Sequence, residues 1–385
     1  MVEWMRLLTL GTVSLVALSL VATCGAAAEP ENVDVFVNGD GYRQYRIPSL
    51  ICTPKGTLLA FCEGRSGNDQ SPTDMVLKRS LDRGKTWLPM QVLVKAVPEA
   101  AMDPTAVIDR ATKTIVLVYD RWPKIPRGEK LGEHKRAPGL GRDSVTTWVM
   151  TSRDEGVTWS TPVDITAMTK KAEWTETGHG PGLGIQTRSG RLVIPCYETR
   201  PVGGKWGTSW NFIIYSDDHG KTWRMSDNEV GPKVNESQVV ELTDGSLLLN
   251  MRSTRGKGCR AGATSKDGGK TWSDLFDIPE LPDAGCQASI LRYTWADRHG
   301  GKSRILYSKP ATPDRRVGTI RVSYDEAKTW PVAKVICKGY FGYSCLTAAP
   351  DGTIGCLFET AGCSRIAFTR FSLKWLTDGK DSLRK

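Results

Sequence analysis

Three arginines far apart in the chain, Arg46, Arg252 and one of Arg315 or Arg316, are the first residues that suggest chemistry. A guanidinium presents a planar fork of donors that fits a carboxylate, and each charge-assisted bond adds about 1.5–3 kcal/mol. Three of them around one point predict an acidic substrate. Tyr343 and Glu236 add a reactive pair. A phenol with a pKa of about 10 attacks at neutral pH only when a neighbouring base takes its proton, and a carboxylate does that. A neutral nucleophile suits a carbon that itself bears a carboxylate, because an Asp or Glu nucleophile would be repelled. Asp69, in a loop over the same rim, is placed to protonate a leaving oxygen. Asp74 rivals it by position, but it opens a strand, where a structural carboxylate is expected. Glu359 is placed to hold Arg46, although a plain structural ion pair would look the same in sequence.

These residues meet only if the intervening elements bring them to one end of the fold. Five copies of Ser-x-Asp-x-Gly-x-Thr-Trp begin at Ser80, Ser152, Ser216, Ser265 and Ser323 and read SLDRGKTW, SRDEGVTW, SDDHGKTW, SKDGGKTW and SYDEAKTW. A repeat at such spacing marks the same corner of a recurring supersecondary unit. In each box the Asp accepts bonds from its own turn, the Gly supplies a positive φ and the Trp covers the turn. The box is therefore a folding device. Ala327 replaces the Gly of the fifth copy, which strains or reshapes that turn.

A second repeat is a turn followed by an apolar run, at Gly56, Lys113, Gly190, Gly245, Gly301 and Gly352, each preceded by a run that opens polar and turns apolar. Two runs around a short turn predict a β-hairpin. A third run ends on the Ser of each box, and Ser364–Phe371 is a sixth third run that lacks a box. Six four-stranded antiparallel units make an all-β, six-bladed β-propeller over residues 29–385, read as a single domain. Val33–Val37 is placed to add the outer strand of the last blade and close the ring. In such a blade the first strand's start and the second strand's end share one mouth, and the boxes lie at the other. The mouth positions are Arg46, Asp103, residues 178–184, Glu236, Gln287 and Tyr343, then Glu63, Asp120, Tyr197, Arg252, Ser308 and Glu359. His179, within the Gly-rich stretch, is placed to line the pocket, but a surface histidine is the expectation preferred.

The formal charge of +10 favours an anionic partner, and it survives loss of the first 28 residues, which hold one Arg and one Glu. No Lys/Arg block reads as a nucleic-acid arm, and the boxes account for much of the Trp, so nucleic-acid binding is the poorer reading. Residues 1–28, with Arg6, the apolar run Leu7–Ala22 and Ala26-Ala27-Ala28, have the form of a secretory signal. That predicts a secreted or periplasmic protein with no membrane span in the mature chain; a lipidated Cys24 fits less well, because Thr precedes it. The other nine Cys lack metal-type spacing and are expected as buried free thiols. With only four His, none in ligand spacing, neither a metal nor a cofactor is expected.

At this point the chain resembles the exo-α-sialidase (neuraminidase) family over nearly its whole mature length. The resemblance rests on YRIP from Tyr45, the five boxes, EGR from Glu63, NESQVVELTDG…NMRS from Asn235, RRVGTIRVSYDE from Arg315 and GYS from Gly342. It implies that Arg46, Arg252 and Arg315 bind the substrate carboxylate, that Tyr343 is the nucleophile with Glu236 as its base, and that Asp69 is the acid/base. It further implies that Glu359 supports Arg46 and that Arg65 and Asp103 contact the sugar. A Tyr nucleophile is a recognised departure of sialidases from the two-carboxylate scheme. The expected substrates are sialylated glycans, cleaved with retention of configuration. A related nonulosonic acid, transfer in place of hydrolysis, and a binding-only propeller are the alternatives.

Overall fold

Short apolar runs between turn residues leave little room for helix, and among the described residues the chain forms twenty-five strands and two four-residue helices. The computed structural model describes Met1 and residues 30–383, apart from 70, 97, 124–136, 203–204 and 298–300. The expected signal segment, Met1 aside, lies outside the described residues. Among those residues no helix is long and apolar enough to cross a membrane.

Antiparallel pairs stand at each of the six hairpin positions. Gln44–Cys52 pairs with Leu58–Arg65, Ala100–Asp109 with Thr114–Trp122, and Glu176–His179 with Leu192–Val202. Val234–Glu241 pairs with Leu247–Ser253, Ser289–Thr294 with Arg304–Pro310, and the end of Val332–Ala348 with Ile354–Thr360. Third strands follow, including Thr73–Ser80, Thr146–Ser152 and Arg365–Phe371. The N-terminal strand Asn32–Val37 pairs with Arg365–Phe371, so the two ends of the chain share a sheet.

One difference from the sequence reading is the strand Val332–Ala348, which runs unbroken for 17 residues and joins two groups into a seven-stranded sheet. Its first half pairs with Arg316–Ser323 and its second with Ile354–Thr360, with register shifts around Phe341. Residues up to Tyr340 are partly or fully exposed, as on an outer strand, whereas Phe341–Thr347 is buried, as on an inner one.

The register also sorts the two ends. Ser80, which opens the first box, faces Leu58, while Glu63 faces Met75, so boxes and ionisable strand ends lie at opposite edges of the sheet. In every box the fourth and fifth residues both adopt positive φ, among them Arg83 at 64° and Gly84 at 82°. The Gly has a second reason to be Gly. A Cβ on Gly84 would overlap the Phe368 ring and one on Gly269 would overlap Ile213, each on another sheet, and one on Gly156 would overlap Leu59 of the preceding hairpin. Ala327 keeps the common geometry, with φ 66° and its N–H on Ser323 Oγ at 2.9 Å. The fifth turn is therefore strained and not reshaped. Box Trp rings complete the docking: Trp87 packs edge-on against Phe368 and Trp159 against Phe61.

Candidate active site

Glu359 organises one side of the mouth. Its carboxylate accepts Arg46 Nε at 2.6 Å and the backbone N–H groups of Ile47 and Tyr343 at 3.0 Å each, and it is fully buried. Burial opposes its charge, but Arg46 and those donors hold its carboxyl below the ordinary range. Ile47 has φ 61°, a strained value for a β-branched residue, imposed where its N–H meets Glu359. One carboxylate thus ties an arginine to the backbone beside the tyrosine.

Tyr343 lies at the centre. Its hydroxyl donates to Glu236, and Arg252 Nη1 reaches both Glu236 Oε2 at 2.8 Å and the Tyr343 oxygen at 3.2 Å. Arg46 and Arg315 flank its ring, with guanidinium carbons 5.4 and 5.9 Å from the centroid. Burial and then the Glu236 charge push the phenol pKa well up, while Arg252 and Arg46 pull it down. At rest the proton stays on the phenol, already directed at its acceptor. Arg316 faces elsewhere: its side chain is 62% exposed and pairs with Asp314. Positive φ at Arg315 turns the chain so that neighbouring arginines diverge.

Asp69 hydrogen-bonds Arg65 and stands 3.5 Å from Arg46, with its side chain 59% exposed. Partial burial opposes its charge, but Arg65 and Arg46 keep its pKa below the usual value. Asp74 is a structural group, accepting Tyr42 Oη at 2.7 Å and Ala96 N–H at 2.8 Å. Arg65 is buried between Glu63 and Asp69. Asp103 faces Tyr197 Oη at 3.5 Å, and burial followed by the charges of Glu63, Asp120 and Glu236 raises its pKa well above the ordinary value.

The BNR repeat-like domain family matches residues 56–356. A sialidase of Micromonospora viridifaciens is 37% identical over 89% of this chain and 54% of its own length, so the chain spans about half of that relative. A solved Hadza microbial sialidase superposes with a TM-score of 0.79 at 33% identity, covering 88% of this chain and 67% of that one. The chain belongs to the sialidase family. The intramolecular trans-sialidase of Ruminococcus gnavus, at 22% identity and a TM-score of 0.74 over 89% of this chain and 98% of its own, shares the fold.

Within this sialidase-family site the sequence reading missed several groups. His179 is buried, not at the surface, because Asp120 accepts its backbone N–H and lies 3.0 Å from its ring. Asp283, Lys309 and Arg260 form a buried charge cluster behind Arg315. Only their polarity in otherwise apolar runs hinted at it. All nine described Cys are free thiols, and seven are buried.

Proposed function

We propose that this protein is an exo-α-sialidase that removes terminal α-linked sialic acid from glycoconjugates with retention of configuration. The observation that carries the reading is the Glu236–Tyr343–Arg252 contact set, with Arg46 and Arg315 beside the same ring. Arg46, Arg252 and Arg315 hold the substrate carboxylate. In the first step the Tyr343 oxygen bonds to the anomeric carbon as the glycosidic bond breaks. The phenol proton passes to Glu236, and Asp69 gives a proton to the leaving oxygen. Arg252, within hydrogen-bond reach of the phenol oxygen, stabilises its developing negative charge. In the second step water attacks the anomeric carbon, its proton goes to Asp69, and Tyr343 leaves with the proton from Glu236.

Asp69 needs a change of partner to act as an acid, since Arg65 and Arg46 favour its charged form. A substrate carboxylate that occupies Arg46 and a leaving group that excludes water both weaken that bias. Asp103 and Arg65 contact the sugar's ring substituents.

We further infer a closed ring of six four-stranded blades. The pairing of Asn32–Val37 with Arg365–Phe371 and the docking of the first box on Phe368 support it. The N-terminal apolar segment supports export, which N-terminal sequencing of the mature protein tests. Function is tested by release of 4-methylumbelliferone from its α-sialoside, with the first-formed anomer followed by NMR. Release of the α-anomer into water is expected. Transfer to a sugar acceptor or to the substrate's own hydroxyl would replace hydrolysis by transglycosylation, and sialoside binding without release would make this a binding module.

A further inference from the structure

The carboxylate-binding arginines need to be held in place, and Glu359 does this only for Arg46. Arg252 and Arg315 lie in different strand groups, and the link between them passes through Asp283. Its Oδ2 accepts the N–H of Ser253, the residue after Arg252, at 2.8 Å. Its Oδ1 accepts the N–H of Gly285 at 2.9 Å, and the Gly285 carbonyl accepts Arg315 Nη2 at 2.7 Å. Lys309 Nζ, 2.8 Å from Asp283 Oδ1, and Arg260 Nη1, 3.5 Å from Oδ2, balance the charge, and both also donate to the Cys286 carbonyl. The side chains of Asp283, Lys309 and Arg260 are 3%, 2% and 0% exposed. Burying three charges costs desolvation energy, which their mutual pairing and the bonds to backbone offset.

We propose that Asp283 is a positioning residue that sets the spacing of Arg252 and Arg315 and thereby the affinity of the site for a carboxylate. The proposal rests on the functional reading above. It does not make Asp283 a catalytic group, since it touches neither Tyr343 nor the space before it. The positioning runs through backbone: one carboxylate bonds two N–H groups, and each belongs to the segment that carries or grips an arginine.

The test compares wild type with Asp283→Asn, which keeps the shape but cannot accept from both N–H groups while facing Lys309. Expected is a KM raised about tenfold or more with kcat within about threefold, the pattern of lost uniform binding. An unreactive 2,3-dehydro analogue of the sugar should bind about tenfold more weakly, while the same analogue with a carboxamide in place of its carboxylate changes by less than about twofold. Equal losses for both analogues would reduce Asp283 to a fold-stabilising residue and overturn the proposal. If Asp283→Asn fails to fold, Asp283→Asn with Lys309→Met removes one of the two unbalanced cations and is compared with Lys309→Met alone. A wild type inert toward sialosides overturns the functional reading and leaves this one to the crystal structure of Asp283→Asn. There Arg315 is expected off the Gly285 carbonyl and displaced from the Tyr343 ring, and an unmoved Arg315 would refute the positioning role.

Discussion

Both edges of the sheets are rich in carboxylates, and the two edges use them differently. At the box edge each Asp is satisfied by its own turn: Asp154 Oδ1 accepts Thr158 N–H at 2.9 Å, its other oxygen accepts the Thr158 hydroxyl, and the Ser152 hydroxyl donates as well. At the mouth the partners are charged: Arg46 for Glu359, Arg252 for Glu236, and Arg65 and Arg46 for Asp69. The first arrangement is local, neutral in its donors and repeated five times. The second is charged, and it joins separate sheets through Arg46–Glu359 and Tyr343–Glu236. Repetition marks what the fold needs everywhere, and the cross-sheet contacts around Tyr343 mark what the chemistry needs in one place.

The contrast breaks most plainly at Tyr343. Tyr343→Phe keeps the ring between its two arginines and removes only the reacting oxygen, so kcat should fall by about 10³-fold or more with thermal stability nearly unchanged. An active Tyr343→Phe in single-turnover kinetics would dissolve the distinction between the two edges. Asp69→Ala should cost about 10²-fold or more on sialyl-lactose and far less on the methylumbelliferyl sialoside, whose leaving group needs little protonation. Equal losses on both would show that Asp69 serves binding and not proton transfer.

At the other edge the expected effects fall on stability alone. Asp154→Ala should lower stability by about 1–2 kcal/mol in urea titration while kcat/KM stays within about twofold. Asp82 and Asp154 are held down to about 2, chiefly by the hydroxyls and N–H groups of their Thr partners. Because a folded-state pKa below the unfolded value adds stability above the unfolded pKa of about 4, that part is present at neutral pH. It is lost as pH falls from about 4 towards 2, and a Tm profile over that range should flatten in Asp154→Ala. The smallest effect is Ala327→Gly, which relieves a left-handed alanine and should raise stability by about 0.5–1 kcal/mol.

The local edge was also the more legible. Box turns, hairpins and third runs are written in contiguous residues, so Gly positions and apolar alternation located most of them, although the run from Gly180 is broken into short strands and the third strand ending at Ser216 begins earlier, at Lys205. Even there, the positive φ at the fourth box position had no signal, because Arg83, Glu155, His219 and Glu326 are not turn-specific residues. At the mouth, strand-end counting put Arg46, Glu236, Arg252, Tyr343 and Glu359 on one rim, and the structure joins them in one set of contacts. Composition could not say which of Arg315 and Arg316 turns inward, since that depends on φ at Arg315. Nor could it foresee Asp283, whose partners Ser253, Gly285, Arg260 and Lys309 come from separate strand groups and a loop.

The pairing of Asn32–Val37 with Arg365–Phe371 sets how the molecule responds to force. Asn32 lies opposite Thr369 and Val37 opposite Arg365, so the chain enters and leaves the strand pair at the same end. Tension applied at Asn32 and Phe371 would load this ladder one rung at a time, by peeling, and would not shear all its hydrogen bonds together. Pulled at Asn32 and Phe371, the protein would open first at this seam and at low force, before the inner strands that carry Arg252 and Tyr343 felt the load.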